Sequence, residues 1–86
     1  MGSDIDLNPE GPMLFVVNKD IPGVIGNIGT LLGKHNVNIA EYLLSRIKNS
    51  DDAYGIIKLD STVDDIIIEK LKNLDEVTDV RQINIE

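Results

Sequence analysis

The residues best suited to chemistry lie in one run: Asn18, Lys19, Asp20, Ile21, Pro22, Gly23 and Val24. Here an apolar stretch ends, the chain turns, and a helix opens within a few residues. The first N–H groups of a helix have no intrahelical partner, so they form a site for a small carboxylate. Gly23 removes a Cβ from the path of approach. Asp20 stands beside these donors with a negative charge suited to an ammonium group, and Asn18 can both donate and accept. A carboxylate receptor next to an ammonium receptor describes a site for an α-amino acid. The same residues admit a plainer reading, in which Asn18 or Asp20 caps the helix.

No other group of residues offers a reaction. The chain has no nucleophile elbow of the Gly-x-Ser-x-Gly type and no Gly-x-x-x-x-Gly-Lys-[Ser/Thr] phosphate loop. Gly26, Gly29 and Gly33 do not have dinucleotide-binding spacing, and no strand leads directly into them. The acidic pairs Asp51-Asp52, Asp64-Asp65 and Asp75-Glu76 fall at turns and helix starts and read as solvated. With no Cys, thiolate metal sites and disulfides are excluded, and one histidine, His35, precludes a multi-histidine site. His35 sits where a first helix ends and complements the negative C-terminus. We expect no catalysis from this chain alone, and no metal or cofactor within it.

Charge narrows the partners. Eight basic against 15 acidic side chains leave a net −7 over 86 residues. Nucleic acid and anionic membrane surfaces both call for a basic patch, so neither is expected. No window approaches 18 consecutive apolar residues, and the N-terminus lacks a basic-then-apolar leader pattern. The cytoplasm is the expected compartment.

The elements around the run follow from periodicity. Residues 1–12 read as a lead-in: positions 1–3 resemble a tag scar, Ile5 and Leu7 alternate with Asp4 and Asp6, and the stretch from Asn8 to Pro12 breaks regular structure. The domain proper is residues 13–86. The apolar run from Met13 to Val17 suits a central strand. Ile21, Pro22 and Gly23 open a helix, residues 23–35, with Val24, Ile25, Ile28, Leu31, Leu32 and His35 on its core face. Its three glycines form a second stripe, read as tight packing or as close approach of a ligand or partner chain. Near-alternation over residues 37–47 predicts a strand that buries Val37, Ile39, Leu43 and Ile47. A polar turn leads to a strand over residues 53–60. Ser61 or Thr62 caps a second helix with Val63, Ile66, Ile67, Leu71 and Leu74 as its stripe, and residues 77–85 close as a strand. The order β-α-β-β-α-β is the α+β, ferredoxin-like arrangement: a four-stranded antiparallel sheet with both helices on one face and the second strand at an edge.

At these residues the sequence resembles the ACT domain, a small-molecule regulatory module of amino-acid metabolism. The matching stretches are Leu14 to Gly26, with its Asp-x-Pro-Gly-Val-Ile signature, and Val37 to Ala40. The likeness continues through Leu43 to Arg46, Ile57 to Asp60 and Val80 to Ile83. It spans roughly residues 4–85 and is nearest to the C-terminal domains of D-3-phosphoglycerate dehydrogenases. That resemblance implies L-serine as a feedback ligand, allosteric control of serine biosynthesis, and a homodimer whose sheets merge into eight strands through residues 37–47 and the helix at 23–35. It implies a site made of Asn18, Asp20, Ile21, Pro22, Gly23 and Val24 from one chain and Asn38 from the other. NAD belongs to the parent oxidoreductase and not to this domain. Some members carry His where Asn18 stands and Asn where Asp20 stands, and the first of these positions helps read the serine hydroxyl. An L-serine dehydratase β chain is the alternative parent, and a ligand-free oligomerisation module the alternative role.

Overall fold

The structure, a computed structural model, describes residues 11–85, with the side chain of Ile85 excluded. The alternation of Ile5 and Leu7 and the possible tag scar lie outside the described residues. Six elements follow in the expected order: β1 (Gly11–Lys19), α1 (Val24–Lys34), β2 (Ile39–Arg46), β3 (Asp52–Leu59), α2 (Asp65–Lys72) and β4 (Val77–Ile85). The four strands form one antiparallel sheet in the order β2-β3-β1-β4, so β1 is central and β2 is an edge. Gly11 and Pro12, expected to break regular structure, instead begin β1. There they pair with Ile85 and Asn84 of β4, beyond the point where β3 joins at Met13. A proline at that point removes a donor from the first turn of the ladder only.

One face of the sheet is covered by both helices. Leu14, Val16, Ile57 and Val80 from the strands, Val24, Ile28 and Leu32 from α1, and Ile68 and Leu71 from α2 make a single buried cluster. Fully burying an aliphatic side chain of this size contributes about 1.5–3 kcal/mol. The opposite face is less apolar and carries the tilted Phe15–Tyr54 ring pair, with centroids 5.7 Å apart.

Both edge strands depart from simple alternation, for one reason. In β2, Ile39 pairs with Leu59 but Glu41 pairs with Lys58, so Ala40 is an extra residue. Such a bulge reverses the phase of everything after it. Tyr42 and Leu44 therefore turn towards the helices, and Leu43 and Ile47, expected inside, are each 38% exposed. In β4, Asn18 pairs with Val77 and Val17 with Asp79, which leaves Thr78 extra and lets Val77 and Val80 both face the core.

The helices also begin later than their sequence suggests. α1 starts at Val24 with Gly23 at the N-cap, so Pro22 precedes the helix rather than lying in its first turn. Ile25, expected on the core face, is 45% exposed. α2 starts at Asp65 with Asp64 at the N-cap and no side-chain cap, so neither Ser61 nor Thr62 plays that part. The later start changes the buried face: Ile68 and Leu71 point inward, while Ile66 is 67% exposed. Val63 is buried ahead of the helix, where its N–H donates to Gln82 Oε1 at 2.8 Å. At the end of α1, His35 is the C-cap, as expected.

Candidate functional site

The sheet register builds a hollow at the N-terminal end of α1. Asn18 of β1, Ala53 of β3 and Arg46 of β2 lie in one cross-strand row, and Val16, Gly55 and Leu44 lie in the next. The middle member of the first row is small, so Asn18 and Arg46 flank Ala53 at the start of α1, while the ring of Tyr42 lies over Gly55 in the second. The result is a cavity of about 310 Å³ lined by Asn18, Asp20, Pro22, Gly23, Val24 and Arg46, with Ile21, Ile25 and Leu44 completing it. The β1–α1 loop is held in place by backbone bonds. Lys19 N–H donates to Glu76 O at 2.8 Å, and Asp20 N–H donates to Asp51 O at 2.7 Å.

Neither Asn18 nor Asp20 caps the helix. α1 has no side-chain cap, and its N-cap Gly23 sits at φ 92°. A Cβ at Gly23 would meet nothing within 4 Å, so glycine is required here by its left-handed backbone and not by crowding among the described residues. The first N–H groups of α1 are left without a side-chain acceptor, and the helix dipole adds partial positive charge at that end.

Asn18 is the one buried polar residue among those described, at 2% exposure. Its Nδ2 donates to Lys19 O at 2.8 Å, while its Oδ1 is buried with no hydrogen-bond partner. A buried acceptor left unpaired costs about 1–3 kcal/mol, a cost that a donor brought in by a ligand would remove. Asp20 is not bare. Arg46 Nε donates to its Oδ2 at 2.7 Å, with the arginine side chain 76% and the aspartate side chain 26% exposed. At that exposure the pair is worth about 0.2–1 kcal/mol, so it adds little to the stability of the fold.

Six of the seven residues singled out from sequence therefore line one cavity: Asn18, Asp20, Ile21, Pro22, Gly23 and Val24. Asn38 does not. It lies just before β2, at the end of that strand away from Arg46, where its Nδ2 donates to Asp60 Oδ2. Arg46, Leu44 and Ile25 were not singled out. The alternation of β2, had it been counted through the bulge, would have turned Leu44 and Arg46 to this side.

The glycine stripe of α1 does not pack tightly against any of the described residues. A Cβ at Gly26, Gly29 or Gly33 would meet nothing within 4 Å. A second hollow, of about 370 Å³, lies between the helices and is lined by Thr30, Leu31, Lys34, His35, Lys70 and Leu74 together with Asn27. Among the described residues no cluster of His, Cys, Asp or Glu is arranged to hold a metal ion, and no helix is long and apolar enough to cross a membrane.

Comparison with known proteins gives a consistent picture. Residues 12–76 match the ACT domain family. The chain is 30% identical over 98% of its length to D-3-phosphoglycerate dehydrogenase of Bacillus subtilis (strain 168). It is 32% identical, also over 98% of its length, to the enzyme of that name from Methanocaldococcus jannaschii. In each case it spans only 16% of the relative's length. Among solved structures, the ACT domain from GTP pyrophosphokinase of Chlorobium tepidum superposes with a TM-score of 0.66 at 18% identity, covering 86% of this chain and 97% of that one.

Proposed function

The chain belongs to the ACT domain family, and on that premise we propose that it is an amino-acid-binding regulatory module whose ligand is L-serine. The relatives are D-3-phosphoglycerate dehydrogenases, so the reading extends to feedback control of such an enzyme in serine biosynthesis. NAD and the catalytic groups would then belong to the other parts of that enzyme, and this domain would hold no cofactor. The L-serine dehydratase parent has no support from these relatives.

The observation that carries the reading is the buried, unpartnered Oδ1 of Asn18, a residue that lines one cavity with Asp20 and the uncapped start of α1. An α-amino acid supplies what these groups lack. Its ammonium donates to Asn18 Oδ1 and Asp20, and its carboxylate accepts from the helix N–H groups. Asn38 completes the site from a second copy of the chain. That copy pairs through the free edge of β2 and lies along α1. Support for this pairing comes from the edge position of β2 and from the open glycine stripe, which admits close approach. A homodimer of this kind would join two sheets into eight strands.

Titration calorimetry on the 86-residue chain tests the reading. We expect saturable heat with L-serine, reduced at least tenfold in affinity by Asp20→Asn and by Asn38→Ala. Absence of heat with any α-amino acid would leave the oligomerisation module as the role of the fold.

A further inference from the structure

We propose that Arg46 is a specificity residue of the cavity, reading the carboxylate of the ligand while Asp20 reads its ammonium. This rests on the amino-acid reading above and adds to it a residue from a different strand. The carrying observation is that the Asp20–Arg46 pair is incomplete on both sides. Among the described residues only Nε of the guanidinium is engaged, on Oδ2 of Asp20. Among the described residues neither Nη group has a partner, and Asp20 Oδ1 has none. Arginine offers five N–H donors in a planar fork that matches a carboxylate, so four donors are left to a ligand.

The placement supports this use. Arg46 shares a cross-strand row with Asn18, through Ala53, and both line the cavity. The unpaired Oδ1 of Asn18 and the unused oxygen of Asp20 are acceptors. The Nη groups of Arg46 and the first N–H groups of α1 are donors. Acceptors and donors thus meet in one hollow, and the charged pair sums to zero. A zwitterion of net charge zero matches such a site. An amine without a carboxylate leaves the fork unused, and a carboxylate without an amine leaves the acceptors on Asn18 and Asp20 without a donor. The site is therefore built for α-amino acids with both groups ionised, and the ion pair is retained beside the ligand.

The test compares L-serine with L-serinamide, which keeps the ammonium and hydroxyl but has no carboxylate, on the wild-type chain, Arg46→Met and Arg46→Lys. Wild type is expected to prefer L-serine by at least tenfold. Arg46→Met should lose at least tenfold for L-serine and less than twofold for L-serinamide, so that the preference collapses, and Arg46→Lys should recover part of it. Arg46 is largely exposed, so the variants should fold, as checked by circular dichroism. Equal losses for both ligands in Arg46→Met, or no loss for either, overturns the assignment while the amino-acid reading stands. Wild type that binds L-serinamide as tightly as L-serine overturns it too. Wild type that binds no amino acid overturns both.

Discussion

Among the described residues Tyr42 is the second side chain, after Asn18, with a buried polar atom and no partner. It turns inward after the β2 bulge, and its ring rests over Gly55, where an added Cβ would lie 3.0 Å from Tyr42 Cε1. Burial raises the phenol above its ordinary pKa of 10.0, because the phenolate loses more solvation than the phenol. The folded chain therefore holds this proton more tightly than the unfolded chain. The associated stability is fully present below pH 10, and it is lost as pH rises through the folded value. Tyr42→Phe should be within about 1 kcal/mol of wild type at pH 7, since it removes the unpaired hydroxyl along with any packing it provides. It should also show a shallower loss of stability above pH 10, as read from urea midpoints between pH 7 and 11. An identical alkaline limb in the two chains would place the titration elsewhere. At this scale Asn18 and Asp20 were readable in the sequence, because their chemistry is carried by residue type and adjacency. Arg46 was not, because it lies 26 positions from Asp20 and only the strand register brings the two together.

Single residues decide where the elements begin and which way they face. Order and type of all six elements follow from hydrophobic period, and β4 ends where its pattern ends. The departures from that period come from features that it does not contain. One extra residue at Ala40 inverts the faces of β2, and a left-handed Gly23 delays α1 past its proline. The two kinds of glycine in and before α1 make this testable. Gly23 sits at φ 92°, where an L side chain is strained even in open space, so Gly23→Ala should cost about 1–2 kcal/mol. Gly29 has helical backbone and an equally open surround, so Gly29→Ala should stabilise the isolated fold by up to about 1 kcal/mol. Urea titration at low chain concentration gives both values. The same sign for the two substitutions would show that crowding, and not backbone conformation, governs this stretch.

On the scale of the whole molecule, the glycine stripe of α1 and the edge strand β2 form the surface that a second copy would cover. Glycines inside a helix cost about 0.8–1 kcal/mol each relative to alanine, and none of the described residues uses the space they leave. A second copy seated there would use it, at the cost of bringing two bodies of net charge −7 together. That charge predicts the sign of the salt effect. The Debye length falls from about 30 Å at 0.01 M to about 8 Å at 0.15 M, so like-charge repulsion between copies is screened and association should tighten as salt is added. An interface held mainly by ion pairs would weaken instead. Sedimentation at tens of micromolar should therefore show a particle of twice 9.5 kDa, more completely at 0.15 M than at 0.01 M salt. Gly26→Gln places a long side chain on the exposed stripe, where no atom of the described residues is near, and should shift the particle towards monomer while leaving the circular dichroism unchanged. A wild-type monomer at that concentration and both salts removes the two-chain site, and with it the role of Asn38. The cavity beneath α1 would remain, because Asn18, Asp20 and Arg46 all belong to one chain.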